Sequence, residues 1–137
     1  MEIHVKQSAM IRPAQETPKH LLPNSELDLV APAMYVPTVY FYRRSNDSSN
    51  FFEAGLLKES LSHILVPFYP IAGRLGKTED GGNVVECNGE GVLFIEAETD
   101  CVIDDLGDFS QGFKLLPLIP TVDDTQDVSS RPLLMTQ

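Results

Sequence analysis

Apolar side chains recur at every second position near the start of the chain. Ile3, Val5, Ala9 and Ile11 fall on one parity, with His4, Lys6, Ser8 and Arg12 on the other. A period of two predicts a half-buried strand over residues 3–11. Pro13, Pro18 and Pro23 follow and predict a long irregular surface connection, because each proline removes an amide donor. Thr38-Val39-Tyr40-Phe41-Tyr42 is β-branched and aromatic, which predicts a second strand. Val39 and Phe41 take one face of it, and Thr38, Tyr40 and Tyr42 the other. After a polar loop, Phe52, Leu56, Leu57, Leu61, Ile64 and Leu65 recur at helical spacing. Asn50 and Glu53 form the expected capping pair, and Pro67 ends the helix at Val66.

Beyond the helix, Asp80-Gly81-Gly82-Asn83 stands between two strand-like runs, a hairpin signal. Residues 84–87 and 92–97 read as strands, and 101–106 as one helical turn. Residues 107–132 read as connection, and Leu133-Leu134-Met135 opens a further strand. Strand, helix and clustered strands predict an α+β fold with a mixed sheet and packed helices.

Composition narrows the reading. The 137 residues are 42% hydrophobic and 22% charged, as expected of one globular domain or part of one. The charge-free run from Ile64 to Gly73 is far shorter than the roughly 18 residues of a membrane span. The N-terminus lacks the pattern of a secretory signal, so a soluble, cytoplasmic protein is expected. Net charge is −10, unevenly placed: residues 1–78 carry +1 and residues 79–127 carry −12. That distribution argues against a nucleic-acid partner, which needs a clustered basic face. Cys87 and Cys101 are expected to be free thiols, with neighbouring Glu86 and Glu90 raising the pKa of Cys87.

Few motifs carry chemistry. Gly89 and Gly91 begin a dinucleotide fingerprint whose third glycine would fall at Phe94, so it fails. Asn46-Asp47-Ser48 is a glycosylation sequon, relevant only to a secreted chain. The three histidines show no metal or triad spacing, and no metal site is expected. Gly73 and Arg74 stand out in Val66-Pro67-Phe68-Tyr69-Pro70-Ile71-Ala72-Gly73-Arg74-Leu75. Pro70 suggests an extended entry, Gly73 a bulge or close backbone approach, and Arg74 an anchor seeking a carboxylate or carbonyl.

This last segment resembles the signature of the plant CoA-dependent BAHD acyltransferases. So do Ser8-Ala9-Met10-Ile11-Arg12-Pro13, Leu27-Asp28-Leu29-Val30, Val39-Tyr40-Phe41-Tyr42-Arg43, Asn50-Phe51-Phe52, Cys87-Asn88-Gly89-Glu90-Gly91-Val92 and Val102-Ile103-Asp104-Asp105-Leu106-Gly107-Asp108-Phe109. The resemblance spans the whole chain in order and is nearest to the family's hydroxycinnamoyl branch, in particular its shikimate/quinate transferases. It implies part of the first of two chloramphenicol-acetyltransferase-like domains. It also implies a cytosolic, monomeric enzyme that moves a hydroxycinnamoyl group from acyl-CoA, its co-substrate, to an alcohol acceptor, with no permanently bound cofactor.

The family's general base is the His of a His-x-x-x-Asp motif. Ser8, Asn24 and Pro67 stand four residues after His4, His20 and His63, so that motif is absent. Residues 1–137 are accordingly expected to be an incomplete N-terminal domain, inactive alone. The alternative is a non-catalytic truncated product acting as a binding module. The resemblance further implies acceptor binding by Thr38 and Tyr40, and by Tyr35 and Val36, which stand where the branch typically shows a His-Thr pair; a structural role falls to Gly73 and Arg74.

Overall fold

Alternation at the N-terminus produces β1 (His4–Ile11), but the expected half-buried face is confined to Ala9 and Ile11, and Val5 is exposed. The computed structural model describes residues 1–45, 47, 49–109, 112–121, 123 and 125–137. The sequon at residues 46–48 therefore has its first and third members outside the described residues. Chain order then gives β2 (His20–Pro23), α1 (Glu26–Val30), α2 (Ala54–Ile64), β3 (Arg74–Lys77), β4 (Asn83–Cys87), β5 (Val92–Glu98) and β6 (Met135–Thr136), with short 3₁₀ turns between.

Two three-stranded sheets organise these elements. One has the order β1-β5-β6 and the other β2-β4-β3. β1 runs antiparallel to β5 from His4↔Glu98 to Ile11↔Val92, with a register shift between Val5 and Gln7. β6 lies parallel to β5, pairing Leu93 with Met135 and Phe94 with Thr136. In the second sheet β4 is central, and the 80–83 turn joins it to β3 with Lys77 opposite Asn83. The α+β class and the mixed sheet thus match the sequence reading.

The core lies where α2 meets the first sheet. Leu65, Ala72 and Val92 are buried, with Ile11, Leu61 and Leu134 packed against them. Burying a side chain such as Leu65 or Val92 stabilises the fold by about 1.5–3 kcal/mol. The rest of the helix stripe stays open: Leu56, Leu57 and Ile64 are exposed.

Four further expectations are corrected. Residues 38–42 form no strand, because strand propensity is realised only against a ladder partner, and neither sheet places one beside them. The proline-punctuated connection does carry regular structure. β2 pairs on the outer side of β4, a place where proline at a strand end is tolerated. α1 follows, capped reciprocally by Ser25 and Asp28. The cap of α2 is Glu53, whose carboxylate accepts from the amides of Gly55 and Leu56. Asn50 is not the cap because Phe52 adopts φ +54°, which interrupts any earlier helical turn. Finally, Pro70 does not enter extended; it opens a 3₁₀ turn over Tyr69–Ala72, where its fixed φ suits the first turn and no amide is needed.

Candidate functional site

The Tyr69–Ala72 turn delivers Gly73 and Arg74 to the junction between the sheets. A Cβ at Gly73 would lie 2.3 Å from the carbonyl oxygen of Glu86 and 3.0 Å from that of Pro70. Only a residue without Cβ lets β4 approach this closely. Arg74 is 4% exposed. Its Nη1 donates to the carbonyls of Gly73 (2.7 Å) and Gly91 (2.8 Å). Nε lies 3.2 Å from Glu90 Oε2, an ion-pair contact without hydrogen-bond alignment. Burial lowers the Arg74 pKa, while the negative charge of Glu90 and the phenol of Tyr35 oppose the shift. Gly91 completes the knot. Its amide donates to Ala72 O at 2.8 Å, and at φ +103° a Cβ would sit 2.4 Å from Ile11 O.

The residues assigned to acceptor binding are placed differently from one another. Tyr35 is half-buried, and its hydroxyl donates to the carbonyl of Pro132. It lines a groove of about 140 Å³ together with Pro32, Met34, Leu75, Arg131 and Leu133. Val36 and Tyr40 are 80% and 74% exposed, and Thr38 is exposed too. None of these three lines the Tyr35 groove. The structure therefore brings Tyr35 together with Pro132 and Arg131, which sequence reasoning did not single out. No local signal marks that contact, since its partners stand 97 positions apart.

The remaining candidates carry no catalytic geometry. Cys87 is buried and Cys101 half-buried, both free thiols. Burial raises the Cys87 pKa, so desolvation rather than the neighbouring glutamates is the cause. His63 is exposed, and His20 Nε2 lies 2.9 Å from the Tyr69 hydroxyl. Among the described residues, no cluster of three or more His, Cys, Asp or Glu is arranged to hold a metal ion. No helix among them is long and apolar enough to cross a membrane.

The model of the Transferase family matches residues 1–137, the entire chain. This chain belongs to the Transferase family, the BAHD acyltransferases. It is 53% identical over all 137 residues to a hydroxycinnamoyltransferase of Narcissus pseudonarcissus, covering 31% of that protein. It is likewise 53% identical to a shikimate O-hydroxycinnamoyltransferase of Nicotiana tabacum, again over 31% of its length. The crystal structure of vinorine synthase superposes with a TM-score of 0.72 at 26% identity, over 96% of this chain and 32% of the other. The chain thus spans about a third of the BAHD relatives it matches.

Proposed function

We propose that this chain is the N-terminal part of an acyltransferase that moves a hydroxycinnamoyl group from a CoA thioester to a shikimate- or quinate-like alcohol. The observation that carries the reading is identity of 53% across every residue to relatives named for hydroxycinnamoyl transfer. In such a reaction the acceptor proton passes to a general base as the acceptor oxygen attacks the thioester carbonyl, and the C–S bond breaks to release CoA as the thiol, which takes up that proton. No His-x-x-x-Asp motif occurs within residues 1–137, so this chain supplies binding surface and not the base. Under this reading Thr38 and Tyr40 present hydroxyls to the acceptor. Gly73 and Arg74 hold the sheets that carry the site. The two free thiols accord with a reducing, cytosolic setting.

A second acceptor class has support of its own. The chain is 47% identical to a hydroxycinnamoyl-CoA:5-hydroxyanthranilate N-hydroxycinnamoyltransferase of Avena sativa, so an amine acceptor yielding an amide is the rival to an ester. The test is product detection with p-coumaroyl-CoA and either shikimate or 5-hydroxyanthranilate, using both the 137-residue chain and the complete enzyme. The complete enzyme is expected to esterify shikimate. The chain alone is expected to give no product above background, since a positioned base alone is worth about 10²–10⁴-fold. Amide formation without ester would replace the alcohol with the amine. No transfer by the complete enzyme would leave the non-catalytic binding module as the reading.

A further inference from the structure

We infer that Tyr35 is a positioning residue whose hydroxyl ties the segment bearing Thr38 and Tyr40 to Pro132, at the entry to β6; the inference rests on the acyltransferase reading. A phenol has a single proton to donate, and that of Tyr35 is committed to the Pro132 carbonyl. Burial raises the Tyr35 pKa, with the guanidinium groups of Arg131 and Arg74 opposing. The donor therefore stays protonated at neutral pH. Its half-buried side chain shares the lining of one groove with Met34, Leu75 and Leu133.

The tether adds a side-chain anchor to the approach to β6, where Leu134 already packs against the core. That strand is two residues long and pairs with β5 at two positions. Around it, Leu93 N–H donates to Leu134 O at 3.1 Å, Thr136 Oγ1 to Leu93 O at 3.3 Å, and Gln137 Nε2 to Pro117 O at 3.1 Å. Pro132, two residues before Leu134, has no amide of its own to contribute, so its carbonyl is its one backbone handle, and Tyr35 takes it. The preceding turn is fixed separately, by Arg131 Nε and Nη2 donating to Gln126 O at 3.1 and 2.7 Å. On the other side of the tether, an extended chain rises about 3.3 Å per residue. Thr38 and Tyr40 then stand within roughly 10 and 17 Å of the anchored Tyr35. One hydroxyl thereby joins the proposed acceptor segment to the residues leading into β6.

The experiment is Tyr35→Phe in the complete enzyme, which keeps the ring in its groove and removes only the donor. Hydrogen exchange of peptides covering 91–95 and 131–137 is read alongside steady-state kinetics with each substrate varied. Loss of one neutral hydrogen bond should speed exchange in both peptides about fivefold. kcat should fall several-fold, with the KM values for acceptor and acyl-CoA within about twofold of wild type. Unchanged exchange overturns the tether. Accelerated exchange with unaltered kinetics overturns the positioning role. A raised acceptor KM with kcat and exchange unaltered assigns Tyr35 to direct acceptor contact and also overturns it. An enzyme that transfers no acyl group yet shows the faster exchange refutes the acyltransferase reading and leaves the tether standing.

Discussion

Replacing Gly73 with alanine tests the tightest backbone contact in the fold. The new Cβ would stand 2.3 Å from Glu86 O, 3.1 Å from Glu86 C and 3.0 Å from Pro70 O. All three are backbone atoms, so no side chain can swing aside. Relief needs a movement of about 1 Å, since ordinary carbon–oxygen contact lies beyond 3 Å. If β4 retreats, it strains the ladder in which Glu86 opposes Arg74. If Gly73 rotates, it loses its amide bond to Pro70 O at 3.0 Å and re-aims the carbonyl that Arg74 Nη1 holds. Overpacking costs about 1–3 kcal/mol, and one lost hydrogen bond about 1 kcal/mol more. The expected destabilisation is therefore about 2–4 kcal/mol. Urea unfolding followed by far-ultraviolet circular dichroism should show a midpoint lowered by about 1 M or more, for m values of about 1–3 kcal/mol/M. Gly76→Ala is the control, because its Cβ would meet Val84 Cγ2 at 3.4 Å and Glu86 Cβ and Oε2 at 3.9 Å, all ordinary side-chain contacts. Equal midpoints for the two variants would refute the close-approach argument.

Two further outcomes are expected. Tyr40→Phe in the complete enzyme should lower kcat/KM for the acceptor about two- to tenfold, the worth of one neutral hydrogen bond, and leave the KM for acyl-CoA unchanged; a lowered melting temperature with unaltered acceptor kinetics would make Tyr40 a packing residue. The amides of Leu56 and Gly55 hold the Glu53 carboxyl below its ordinary pKa of 4.5, so its support of α2 is present above that value and lost as pH falls through the lower folded one. Glu53→Gln should accordingly cost stability at pH 7 and little at pH 3, flattening the acid limb of a thermal-melt series; an unaltered pH dependence would show that the cap contributes nothing.

What could be read from the sequence divides along a physical line. β1, α2, the 80–83 hairpin, β5 and the opening of β6 are legible because their apolar or turn residues recur at the spacing of the element, even where Val5, Leu56 and Leu57 stay exposed. Arg74 is legible because a charge inside an apolar run must find a partner. Residues 38–42 mislead because their composition reports preference for a sheet surface and says nothing about whether a neighbour exists. β2 and α1 are obscured by Pro18 and Pro23, although Ser25 and Asp28 do spell a capping box at the correct spacing. The Tyr35–Pro132 contact depends on how the connection after β5 returns to the sheet, which no local pattern encodes. The placement of Thr38 and Tyr40 as acceptor residues came from family resemblance alone, and their exposure here is not something that periodicity foretells.

The pairing of β1 with β5 also sets a timetable for synthesis. His4 meets Glu98, and Ile11 meets Val92, so β1 leaves the ribosome some 80 to 95 residues before its partner. At translation rates of about 5–20 residues per second, that interval is roughly 4–20 s. Hairpins elsewhere in the chain close in microseconds. Throughout the delay β1 is an unpaired strand carrying Val5, Ala9 and Ile11 on one side, the kind of segment that seeks alternative partners. Lys6, whose ammonium reaches Glu98 at 2.6 Å once β5 arrives, gives the waiting strand a charge that discourages premature association with other nascent chains.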